Sequence, residues 1–70
     1  MSDLKETEIS RSLNILSQLE HFKGENRPDA LVFFNELHDQ LKKTYKNTST
    51  KSDIDSLAYL NTQIESWINN

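Results

Sequence analysis

The chain contains no cysteine. Disulfides and thiolate metal sites are thereby excluded, and the absence suits a reducing compartment. It holds a single glycine, Gly24, and a single proline, Pro28. One glycine leaves no means of building a Gly-rich phosphate loop or a Gly-x-Ser-x-Gly nucleophile turn. Long apolar runs are also missing. The longest, Ala30-Leu31-Val32-Phe33-Phe34, falls far short of the roughly 20 residues a bilayer-spanning helix needs. Positive charge is scarce: 8 Lys and Arg stand against 11 Asp and Glu, a net charge of −3. Such a chain lacks the bulk positive field on which non-specific nucleic-acid binding relies. The opening residues Met1-Ser2-Asp3-Leu4-Lys5-Glu6 show no basic region leading into an apolar stretch, so no secretory signal is expected and the expected setting is the cytoplasm. Asn47-Thr48-Ser49 spells a glycosylation acceptor, but without secretion it reads as a polar loop.

What the chain does have is three stretches with apolar residues at helical spacing, separated by two short polar breaks. The first is expected over about residues 3–23. Ser2 is placed to cap it, and Asp3, Glu6 and Glu8 put negative charge where the helix dipole favours it. At about 100° per residue, Leu4, Ile9, Leu13, Ile15, Leu16, Leu19 and Phe22 fall on one broad arc. Gly24 ends the helix, since it takes positive φ at no steric cost. Pro28 suits the first turn of a second helix, expected over about 28–46. Its stripe is Ala30, Phe34, Leu37, Leu41 and Tyr45, and Lys42, Lys43 and Lys46 crowd its last turn, offsetting the dipole there. After the polar loop at 47–51, Ser52 with Asp55 forms a capping-box pattern for a third helix, expected over about 52–68. Its apolar arc is Ile54, Leu57, Ala58, Leu60, Ile64, Trp67 and Ile68. Short connections favour antiparallel neighbours. The expectation is therefore an all-α chain, one domain over 1–70, folded as an up-down-up three-helix bundle.

Catalytic and metal-binding constellations are not evident. His21 and His38 have no second histidine or cysteine at i+3 or i+4, so no helical zinc pair is formed. Asp53 and Asp55 are explained by capping, and Glu36 with Asp39 by a solvated face. A chain this short offers little room for a pocket that excludes water. The expectation is a protein that is not an enzyme and takes no cofactor, metal or small-molecule substrate.

The surplus lies in the apolar run. Five successive residues from Ala30 to Phe34 sweep more than a full turn, so they cannot all face one core. Leu31, Val32 and Phe33, joined by Tyr59 on the outer side of the third helix, are the expected partner-binding residues. Trp67, near the end of that helix, is expected to close the core. The functional expectation is a protein-binding module: a regulator, inhibitor, immunity-type protein, chaperone or assembly subunit, binding a protein partner or a second copy. The runner-up is a helix-turn-helix-like DNA binder. It is disfavoured because the exposed side of the third helix, Asp55, Ser56, Tyr59, Thr62, Gln63 and Ser66, carries no basic residue beyond Lys51.

Overall fold

The computed structural model describes residues 3–23 and 27–70. Three helices run in sequence: α1 (Leu4–Lys23), α2 (Pro28–Tyr45) and α3 (Lys51–Asn69), each packed against the other two. The expected all-α bundle of three helices is what the chain forms, and its bounds differ from expectation by only a residue or so. At the start of α1, the Asp3 carboxylate accepts from the Lys5 backbone N–H at 3.0 Å, and the Asp3 carbonyl accepts from that of Thr7 at 3.0 Å. The expected roles of Ser2 as cap and Gly24 as stop lie outside the described residues. Pro28 opens α2, its missing N–H costing nothing there. The helix stops at Tyr45, one residue early, because Lys46 turns extended with ψ 147°. The Lys46 carbonyl then accepts from Lys5 Nζ at 2.8 Å, which ties the end of α2 to the start of α1.

The cap of α3 is corrected by two residues. Thr50, not Ser52, is the capping residue. Its hydroxyl accepts from the Asp53 N–H at 3.3 Å, while the Asp53 carboxylate accepts from the Thr50 N–H at 3.0 Å. Thr50 and Asp53 repeat the same pattern one half-turn earlier, and Asp55 is diverted into an exposed pair with Lys51 at 3.4 Å. Thr50 is extended and Lys51 is already helical, so the first free N–H groups are those Thr50 can reach. Thr50→Ala is expected to cost about 1 kcal/mol. Urea unfolding checks it against Ser52→Ala, which should cost much less.

The core is Ile15 and Leu19 of α1, Ala30, Leu37 and Leu41 of α2, and Leu57 and Ile64 of α3. Ile9, Leu16, Phe22, Phe33, Phe34, Leu60, Trp67 and Ile68 pack around it, partly buried. Two of the expected stripes are rotated. On α1 the buried set is Glu8, Ser12, Ile15 and Leu19, and Leu4 and Leu13 are exposed. The inward face thus turns by roughly 40° from the middle of the apolar arc, at about 100° per residue. On α2 Thr44 is buried and Tyr45 exposed. In each case a polar side chain occupies the inward position because it finds a partner on α3.

Candidate functional site

Three features of the bundle are candidates for function: a buried polar layer, an aromatic end, and an apolar seam along the outside of α1 and α2.

The polar layer joins α1 to α3. Asn61 lies between Leu57 and Ile64 on the inward side of α3 and is fully buried. Its amide nitrogen donates to the Glu8 carbonyl at 3.1 Å and to Glu8 Oε1 at 3.0 Å. The Ser12 hydroxyl stands 2.9 Å from both Asn61 Oδ1 and the Glu8 carbonyl, so its one proton is shared between them. Arg11 Nη1 donates to Glu8 Oε1 at 2.8 Å, and Nη2 reaches Glu65 and Thr62. The Glu65 hydrogen bond, helped by the charge of Glu8, holds the Arg11 guanidinium above its ordinary pKa, with partial burial opposing. A raised folded pKa means that this contribution is complete below the unfolded value and fades only as pH climbs through the folded one. A smaller layer does the same between α2 and α3: Gln40 and Thr44 both donate to the Asp53 carbonyl, at 3.1 and 3.2 Å. Every polar group in these layers has a partner, which is the condition for burying it.

The aromatic end closes the bundle where α1 stops and α2 begins. Phe22 and Phe33 meet Trp67 edge to face, with ring centroids 5.5 and 5.3 Å away. The Arg27 guanidinium lies over Trp67 at 4.7 Å and over Phe22 at 5.3 Å. Arg27 is the residue before α2 and makes no side-chain cap bond, so its charge serves the rings instead. Trp67 thus packs against the core, as expected.

The seam follows from which edge of each helix is already taken. Arg11 reaches α3 while Lys5 reaches the end of α2. At 100° per residue, the α1 edge beside α2 carries Glu6, Ile9, Leu13, Leu16 and Glu20. On α2, Phe33, Gln40 and Thr44 contact α3. The opposite edge, beside α1, carries Leu31, Phe34, His38, Lys42 and Tyr45. Leu13, Leu31 and Tyr45 are exposed by 57%, 47% and 71%, while Ile9, Leu16 and Phe34 are half-buried. The His38 ring stacks on Phe34 with centroids 6.1 Å apart and planes 6° from parallel. Leu13 and Tyr45 read from the sequence as core. Their part in a seam is legible only in the repeated steps of three and four that run through 6, 9, 13, 16 and 20, and through 31, 34, 38, 42 and 45.

The four residues expected to bind a partner are spread over several faces. Leu31 stands on the α1 edge of α2. Val32, 53% exposed, points away from the bundle. Phe33 is half-buried on the α3 edge against Trp67. Tyr59, 64% exposed, lies on the outer side of α3, where its hydroxyl accepts from Gln63 Nε2 at 2.9 Å. It precedes Trp67, and hence the level of Phe33, by about 12 Å along the helix axis at 1.5 Å per residue.

The exposed side of α3 is as expected, with Asp55, Ser56, Tyr59, Thr62, Gln63 and Ser66 all turned outward. Among the described residues there is no pocket and no cluster of three or more metal-ligating side chains, and no helix is long and apolar enough to cross a membrane. No protein-family model matches the sequence, and no curated protein or solved structure matches it.

Proposed function

We propose that this chain is a non-catalytic protein-interaction module, a small helical regulator, inhibitor or assembly subunit acting in the cytoplasm, and that it binds through the α1–α2 seam. One observation carries the reading. Leu13, Leu31 and Tyr45 leave about half or more of their surface in water, and helical spacing puts them on one side of the molecule with half-buried Ile9, Leu16 and Phe34 at levels between them. Scattered exposed apolar residues are normal, but a contiguous patch of them marks an interaction surface. The other exposed large apolar residues among those described, Leu4, Val32 and Tyr59, lie outside the seam and need no such account.

Site-specific photo-crosslinking in expressing cells tests this. A photoreactive phenylalanine analogue replaces Leu31 in one variant and Tyr59 in another. Light should convert the first into a discrete protein adduct and leave the second uncoupled. Equal yields at the two positions, or none at Leu31, would remove the seam as the binding surface.

A further inference from the structure

We infer that the first half of α1, residues 4–12, is a strap that lifts from the bundle as a unit while the rest stays folded. The inference does not rest on the binding surface proposed above. It comes from what each half of α1 buries. In the second half Ile15 and Leu19 are fully buried, and Leu16 and Phe22 are half-buried beside them. In the first half the buried side chains are Glu8 and Ser12, both polar, and the apolar ones are exposed Leu4 and half-buried Ile9. One half of the helix is held by packing and the other by hydrogen bonds.

The two attachments respond differently to water. An apolar side chain lifted out of the core forfeits its burial in full. Glu8, Ser12 and Arg11 exchange Asn61 and Glu65 for water, and each hydrogen bond counts only by its small net difference. Lys5 adds an exposed contact with the Lys46 carbonyl, which water replaces as readily. A segment with few buried apolar contacts stands at the low end of the local stabilities within a fold. Its release uncovers a defined place. Asn61 faces Glu8 and Ser12, and Leu57 lies about one turn earlier on α3. The contact of Lys5 with the Lys46 carbonyl puts Leu41 at about the level of Ile9 and Ser10. Leu41 and Leu57 are both buried, and the closed strap is their cover.

Native-state hydrogen exchange on the whole chain, followed residue by residue by NMR in low urea, reads the outcome. The amides of residues 8–12 bond to the strap's own carbonyls, so they exchange when it lifts. After correction for intrinsic rates they should be protected at least about tenfold less than those of residues 16–19, all to the same degree, and with a weaker dependence on urea. Residues 55–59 of α3 lie equally deep from their helix start but include buried Leu57, and they should exchange with residues 16–19. Equal protection along α1 overturns the inference. So does a steady rise from residue 8 to residue 12, which is the ordinary fraying of a helix end, and so does a matching loss at residues 55–59. With Glu8→Met, Ser12→Ala and Asn61→Leu together, the strap buries carbon where it made hydrogen bonds, and the step within α1 should vanish. A step that persists in that variant overturns the polar attachment as its cause.

Discussion

Asn61→Ala is expected to lower stability by about 2–4 kcal/mol, one of the two most damaging single changes proposed for this molecule. The side chain is fully buried and makes hydrogen bonds to Ser12 and to both the backbone and the carboxylate of Glu8. Alanine removes all three and leaves a void where an amide stood. Glu8 is the costly survivor. Its carboxylate is almost entirely shielded from water and keeps only Arg11. Removing one partner from a buried charged network is far worse than removing the network. A domain of this size has on the order of 4–10 kcal/mol in hand, so the variant should melt at least about 10 °C lower. Replacing the whole layer, with Glu8→Met, Ser12→Ala and Asn61→Leu together, should return stability to the wild-type value or above. Thermal and urea melts monitored by circular dichroism decide between the cases. A urea midpoint for Asn61→Ala equal to that of the wild type would show that the layer contributes nothing. The expected loss in the triple variant is specificity: with an apolar layer, the register of α3 on α1 loses its buried polar contacts and is left to the Arg11–Glu65 pair and the Phe22–Trp67 contact.

Trp67→Ala should cost about 2–4 kcal/mol, somewhat less than a fully buried tryptophan would, because Trp67 is half-buried. Three groups lose a partner at once: Phe22 and Phe33 lose their edge-to-face contacts, and the Arg27 guanidinium loses the ring it covers most closely. The end of the bundle then opens between the last turn of α1 and the first of α2. Trp67→Phe should retain more than half of the lost stability, since a smaller ring still meets both phenylalanines. Trp67 is the sole tryptophan, so its fluorescence reports the local environment directly. In Arg27→Ala the emission should shift while the melting temperature falls only slightly, as a cation over a half-exposed ring is worth about 0.5–1 kcal/mol. A Trp67→Ala melt within a degree or two of the wild type would mean that the ring merely lies on the surface.

Much of the architecture was legible from spacing. The apolar residues of α2 and α3 recur at three and four, Pro28 marks a start, and the polar loop marks a stop, so the helices could be placed almost to the residue. The α3 cap was misplaced because two overlapping patterns, Thr50 with Asp53 and Ser52 with Asp55, obey the same rule, and only the backbone turn at Lys51 separates them. The inward side of α1 was misjudged for a different reason. Spacing ranks residues by hydrophobicity, and by that measure Leu13 belongs inside and Glu8 and Ser12 outside. In the fold their hydrogen bonds with Asn61 reverse the order. The same rotation leaves Leu13 and Tyr45, which spacing places on the apolar stripes, exposed beside Leu31, while Val32 and Tyr59 are exposed elsewhere.

By itself the sequence determined that there are three helices, roughly where they begin and end, and that their apolar surface exceeds what three short rods can hide from water. These are local properties, set by periodicity, by one proline and by the lack of other breakers. Only the tertiary structure decided which edge of each helix is left over. That depends on how neighbouring helices rotate about their axes, and the rotation is set by polar partners on different helices, Glu8 and Ser12 with Asn61, Thr44 with Asp53. A hydrogen bond between residues fifty positions apart has no periodic trace, yet it turns a helix enough to bring Leu13 out into water and a carboxylate in.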